Sequence, residues 1–258
     1  MAAGAKPKRI QNDALSPSGV CRTDRSCNHR ALDHQEFVNS SHRAAKAAVT
    51  TNVPFTSKSS RRESFSELIA AAAGCTRCPG MCGRSAVLSE SNGSLGARVM
   101  FVGEAPGRKG ADRTRIPFSG DQSGRNFERF LASINLKRTE IFITSAALCN
   151  PRSATGANRR PAASELRNCS DFLQRTIALI DPDVIVTLGT VALEALKRVH
   201  YHEFTLRKDA AKILGWNKRL LIPLYHPSPQ VLITSRDEPA QLRDYKVVPR
   251  AIRAAGRQ

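Results

Sequence analysis

Acidic side chains are scarce in this sequence: 22 Asp and Glu stand against 40 Lys and Arg, for a formal charge of +18 and an isoelectric point near 10.3. A field that strong exceeds what a small-molecule enzyme needs. Its simplest partner is a polyanion, with nucleic acid ahead of an anionic membrane. Long apolar runs are missing too. None approaches the roughly 18–20 residues that span a bilayer, and the N-terminus carries no apolar signal core, so the sequence predicts a soluble, cytoplasmic, non-secreted protein. An even set of cysteines is also lacking. Seven thiols do not make a closed disulfide framework, and they point to metal ligation plus spare thiols in a reducing compartment. No internal repeat is visible.

The chain has 258 residues, 41% of them apolar, enough for one α/β core with a tail. Residues 1–62 are rich in Ala, Ser, Arg and Lys without helical or strand period, and Asp13, Asp24, Asp33 and Glu36 are their only acids. They read as a disordered basic tail. Cys21, Cys27, His29 and His34 within it follow no common metal-site spacing. The acids weaken the alternative of a transit peptide. Residues 63–258 read as one domain. From Ser64, the apolar residues Phe65, Leu68, Ile69 and Ala72 share a helical face leading into Cys75. Strands are expected at 97–102, 141–144, 184–188 and 220–224, the last close to a sheet edge because of Pro223. Helices are expected at 123–134, 162–180, 190–199 and 241–255. This alternation predicts a parallel-sheet α/β/α domain with helices on both faces and a ligand beyond the carboxyl ends of the strands, where Glu104, Ser145, Gly189 and His226 fall.

Cys75 and Cys78 form a Cys-x₂-Cys turn, Cys149 follows a strand and Cys169 lies in the next helix. Four thiolates from a turn and a βα unit suit zinc or an iron–sulfur cluster, and spacing does not choose between them. Cys82 is a further possible partner of Cys78.

Three stretches in order, the Cys75–Cys78 turn followed by Gly103-Glu-Ala-Pro-Gly107, then Pro117-Phe-Ser-Gly-Asp-Gln-Ser-Gly124, then His226-Pro-Ser228, resemble the iron–sulfur uracil-DNA glycosylases of families 4 and 5. The resemblance runs from Cys75 to about Leu232. It implies a [4Fe–4S] cluster on Cys75, Cys78, Cys149 and Cys169, with structural zinc as the alternative. It also implies a monomeric DNA-binding enzyme that releases uracil and leaves an abasic site. Glu104 resembles family 4, whereas Gly110–Thr114 and Phe118–Gly124 resemble family 5, where that stretch supplies an aspartate implicated in catalysis. Both families tend to place an asparagine where this chain has Ser145, and a hydroxyl cannot offer an amide's paired donor and acceptor. A preference for hypoxanthine or xanthine is therefore an alternative, as is a non-catalytic iron–sulfur protein that binds nucleic acid.

Breaking an N-glycosidic bond leaves positive charge on the sugar and negative charge on the base. Glu104 or Asp112 is the candidate water activator, and His226 the candidate hydrogen-bond donor to the base oxygen. Phe118 offers a stacking face worth about 1–3 kcal/mol. Ala105, Gly107, Ser145 and Ser228 complete the expected substrate site. Each has a plainer alternative: for Asp112, ion pairing with Arg108, Lys109, Arg113 and Arg115; for Phe118, ordinary core packing. Val231 or Leu232 is the candidate duplex wedge, with a buried short helix as its alternative. Arg236, Arg243 and Lys246 are expected on phosphates. No lysine sits in a motif that calls for a Schiff base, so no lyase step is expected.

Overall fold

The computed structural model describes residues 58–256 except Cys82. The tail motif of Cys21, Cys27, His29 and His34, and the role of Cys82, lie outside the described residues.

In chain order the elements are α1 (Lys58–Ala73), β1 (Val99–Gly103), α2 (Ala111–Thr114), α3 (Gln122–Ala132), β2 (Ile141–Ser145), α4 (Ala163–Ile180), β3 (Val184–Leu188) and α5 (Thr190–Leu196). Then come α6 (Leu206–Asp209), β4 (Leu214–Trp216), β5 (Arg219–Leu224), α7 (Pro229–Thr234), α8 (Glu238–Tyr245) and α9 (Val247–Ala255). Helix α1 begins ahead of the boundary expected at residue 63. The polar Lys58–Arg62 stretch has no apolar period to betray it, yet Arg61 Nη1 donates to the Leu95 carbonyl at 3.0 Å and ties that first turn to the domain.

Strand order is β2-β1-β3-β5-β4. The first four pair in parallel, with Val99 opposite both Ile141 and Val184, and Val184 opposite Leu220. Because side chains alternate along a strand, this register lines up like faces. Met100, Val102, Phe142, Ile185 and Leu221 form one core with Phe65 and Leu68 of α1, Phe172 and Leu173 of α4, and Leu193 of α5. Val99, Phe101, Ile143, Val186 and Ile222 form the other, with Phe127 and Phe130 of α3, Tyr245 of α8 and Val248 of α9. Both faces of the sheet are thus covered, and the expected α/β/α layering is present.

Besides the start of α1, the structure differs from the sequence reading at two places. Strand β4 pairs antiparallel with β5 and takes the edge, so β5 lies second from it. Leu214–Trp216 is too short to show a period. Pro223 is accommodated because its carbonyl points outward, accepting from Ala211 N–H at 2.9 Å. A residue's N–H and C=O point the same way in a strand, so the missing donor is lost on the side away from β3. The expected helix over 241–255 is two helices joined at Lys246, because Pro249 in the first turn of α9 cannot donate to the preceding turn. Residues 229–234 form the short helix given as the alternative to a wedge, capped by Ser228, whose Oγ accepts from Val231 N–H at 3.4 Å, but none of its residues is buried.

Candidate active site

The order of the strands runs outward from β1 in both directions, which opens a crevice at their carboxyl ends. A cavity of about 360 Å³ occupies it, lined by the loop after β1 (Glu104–Gly107), the end of β2 (Ser145) and the loop after β5 (His226, Ser228). That is the small end of the ~300–1,000 Å³ range of ligand clefts. Phe118, Asp121, Asn150, Asn158 and Val231 complete much of the wall.

Glu104 follows the last residue of β1, and its carbonyl is fixed by the Ala147 N–H at 3.0 Å. Its half-buried carboxylate makes no hydrogen bond or salt bridge among the described residues. Burial pushes its pKa above the usual value, with the Arg160 guanidinium pulling the other way. The site therefore holds a carboxylate whose basicity is raised and whose lone pairs are free.

His226 stands across the cavity on the loop after β5. Asn126 Nδ2 donates to the Pro227 carbonyl at 2.8 Å and holds that loop. Burial lowers the imidazole pKa to about 4, against the opposing charge of Asp121. The ring is thus neutral near pH 7, with one N–H to donate.

Phe118 lies 5.5 Å from the His226 ring, centroid to centroid, and 4.7 Å from Phe127. It adopts the left-handed backbone conformation (φ 49°), unusual for an aromatic residue. Arg138 over-determines it, donating to the Pro117 carbonyl at 2.9 Å and the Phe118 carbonyl at 3.0 Å. Two glycines make room: a Cβ on Gly124 would come within 2.5 Å of the Phe118 carbonyl oxygen, and one on Gly103 within 3.0 Å of its ring. Phe118 is both core partner and cavity wall.

Of the residues expected from sequence, Glu104, Ala105, Gly107, Phe118, Ser145, His226 and Ser228 line this one cavity. Asp112 does not. Its carboxylate is ion-paired with Arg152 and lies 4.0 Å from Arg115. Sequence reasoning had singled out the segment containing Asp121 but not the residue. Asp121 caps α3, its Oδ1 accepting from Gly124 N–H at 2.9 Å. Its other oxygen sits where a Cβ on Gly110 would fall, 2.3 Å away, so the glycines of the preceding loop cradle it. An acid opening a helix just after Phe-Ser-Gly was the available signal.

The wedge and phosphate expectations divide. Val231 faces the cavity and Leu232 packs on the core, whereas Ile233 is 84% exposed. Arg236 is held by Asp244 through two hydrogen bonds at 2.9 and 2.7 Å, while Arg243 and Lys246 are exposed.

Cys75, Cys78, Cys149 and Cys169 are free thiols, and none of them lines the cavity. Among the described residues no group of three or more His, Cys, Asp or Glu side chains forms a ready-made metal site. The four are nonetheless within electrostatic reach of one another. Burial, reinforced by the other three thiols, pushes the Cys149 thiol up to about 12, and burial likewise raises Cys169. Asn168 Nδ2 also donates toward Cys78 Sγ at 3.4 Å. A soft, all-sulfur donor set gathered in this way fits a thiolate-bound metal or cluster in chemistry, with closure of the ligand shell left to the ion.

Residues 90–246 match the family model of the uracil DNA glycosylase superfamily. The chain belongs to that superfamily. Among its relatives, the Type-4 uracil-DNA glycosylase of Archaeoglobus fulgidus is 36% identical over 141 residues, covering 53% of this chain and 68% of that protein. The Type-4 enzyme of Thermotoga maritima is 34% identical over 155 residues, 60% of this chain and 76% of its own. A Type-5 uracil-DNA glycosylase of Pyrobaculum aerophilum is 31% identical over 157 residues, 56% of this chain and 67% of its own. The matched residues include every cavity-lining residue except Val87, from the loop after β1 to α7, and likeness to both types agrees with the mixed motifs of the sequence.

Proposed function

We propose that this superfamily member is a monofunctional glycosylase that flips uracil out of DNA and hydrolyses its N-glycosidic bond, leaving an abasic site. The observation that carries the reading is the convergence of Glu104, Phe118 and His226 on one base-sized cavity. Flipping a base costs a few kcal/mol, which stacking on Phe118 and contacts to the polyanionic backbone offset. With the base seated, Glu104 orients water at the anomeric carbon, accepts its proton and stabilises the cationic sugar. Neutral His226 donates to the base oxygen on which negative charge accumulates. Asp121, on the same wall, keeps a second negative charge near the sugar without being free to leave its cap. Exposed cations such as Arg243 and Lys246 meet the phosphates.

A [4Fe–4S] cluster on Cys75, Cys78, Cys149 and Cys169 belongs to this proposal, with zinc as the alternative. When bound, it supplies a cross-link between the segment after α1, the segment after β2 and helix α4. A monomer acting on the chromosome in the cytoplasm completes the picture; among the described residues no helix is long and apolar enough to cross a membrane.

The test is a panel of labelled oligonucleotides carrying uracil, hypoxanthine, xanthine or a thymine mismatch. Release of uracil without added metal, lost in Glu104→Gln and His226→Ala, is the expected result. One observation favours a second reading: Ser145, whose Cα pairs with Gly103 at the cavity floor, offers only a hydroxyl to the base edge. Preferential release of hypoxanthine or xanthine would establish that reading instead. Binding without release of any base would replace both with a non-catalytic role.

A further inference from the structure

Asp112 lies outside the cavity wall, yet its carboxylate is nearly buried and paired with charge from two arginines. Its side chain is only 9% exposed, and it faces two guanidinium groups, Arg152 and Arg115. Each arginine reaches onward. Arg152 Nε donates to Asn150 Oδ1 at 2.6 Å, and Arg115 donates to the carbonyls of Ala86 and, at 3.2 Å, Ser85. The buried Asn150 amide then donates to the Pro106 carbonyl at 2.5 Å and to Asn158 Oδ1 at 3.0 Å. That same Asn158 oxygen accepts from the Arg108 N–H at 3.0 Å. The circuit closes through the backbone, where Asp112 N–H donates to the Gly107 carbonyl at 3.1 Å.

Three chain segments meet at this one carboxylate. One is the loop after β1, which carries Glu104. Another is the hairpin after Cys149, closed by the bridge between Arg152 and Asn158. The third is the irregular 85–87 segment downstream of the Cys75–Cys78 turn, itself pinned by Val87 N–H on the Leu148 carbonyl at 2.7 Å. Pro106, Asn150 and Asn158 all line the cavity. A near-buried anion between two cations resists loss of either partner, because the survivor would be left charged and uncompensated.

The structure assigns Asp112 the role of a positioning residue: an anionic brace that holds the Pro106–Asn158 wall of the base cavity in register with the two cysteine-bearing segments. It activates no water. The assignment rests on the proposed glycosylase activity only for its kinetic readout.

Asp112→Asn, Arg152→Lys and their combination in the full-length protein test it by hydrogen–deuterium exchange across residues 104–115 and 150–159, together with single-turnover uracil release over pH. The brace requires faster exchange in both segments and a release rate lower by on the order of 10–100-fold, the scale expected when reacting groups are misplaced by about an ångström. It also requires an unchanged acidic limb of the pH profile, a double variant no worse than the worse single one, and partial recovery in Asp112→Glu. A rate collapse in Asp112→Asn with native exchange would make Asp112 a catalytic residue and overturn the assignment, as would native rate and native exchange together. Should Asp112→Asn not fold, Arg152→Lys alone decides through the same exchange readout. If the wild-type protein releases no base from any oligonucleotide, the glycosylase reading fails, while the exchange comparison still accepts or rejects the brace.

Discussion

Glu104 and His226 owe their opposite protonation behaviour to one cause, the removal of water at the carboxyl ends of the strands. Burial disfavours the charged form of each, raising the carboxyl pKa and lowering that of the imidazole to about 4. Near pH 7 the imidazole is therefore neutral, and it faces a carboxyl group of raised basicity. The acidic limb of the rate profile is expected above the usual carboxylate range and to belong to Glu104. Because the Arg160 charge lowers the Glu104 pKa, Arg160→Gln is expected to move that limb to higher pH, and a pH series of single-turnover rates on both proteins checks this. For His226 the unfolded chain binds the extra proton between its ordinary value of 6.5 and about 4. Stability contributed by the neutral ring is thus complete above pH 6.5 and lost as pH falls towards 4. Denaturant titrations at pH 7 and pH 5 should show a smaller pH-dependent loss in His226→Gln than in the wild type.

At the scale of elements, helix α7 shows why sequence could not rank the apolar residues of the proposed wedge segment. Val231, Leu232 and Ile233 are equally apolar, and successive residues of a helix point about 100° apart. Only the docking of α7 decides that the first faces the cavity, the second the core and the third the solvent. If α7 carries the proposed wedge, Ile233 is therefore the exposed side chain that would supply it. Ile233→Ala should slow release from double-stranded substrate by roughly tenfold while leaving single-stranded substrate nearly unchanged, since only the duplex requires unstacking. Equal effects on the two substrates would remove Ile233 from that role. The same limit explains the other misread elements. Strand β4 is too short to carry a period, the first turn of α1 is polar, and the division between α8 and α9 turns on Pro249 within an otherwise continuous helical pattern.

Across the whole molecule, the four cysteines come from segments remote in sequence, and their mutual electrostatic influence is a product of the fold. A cluster bound there would stitch α1, β2 and α4 together, so metal content and stability should move together. Purified protein is expected to be brown and to contain about four irons per chain. Cys169→Ser should lose iron and melt at lower temperature. A colourless zinc-loaded protein would assign the site to zinc instead.

Much of this protein was legible before any coordinates. The apolar runs ending at Gly103, Leu188 and Leu224 announce buried parallel strands, and the amphipathic stretches between them require helices on both faces. The Gly103–Gly107 loop and His226 then fall at strand ends for geometrical reasons, so most of the candidate site follows from the pattern alone. Composition likewise settles the strongly positive field. Sequence put Asp112 forward beside Glu104 and passed over Asp121. Both aspartates lie in a glycine- and arginine-rich loop, and local pattern carries no record of which guanidinium groups come from elsewhere. Arg152 arrives on a separate hairpin and turns Asp112 inward as a paired anion, whereas α3 presents Asp121 to the cavity. Local periodicity sets the elements and their faces, but the environment of a charge depends on chain segments that only tertiary packing brings together.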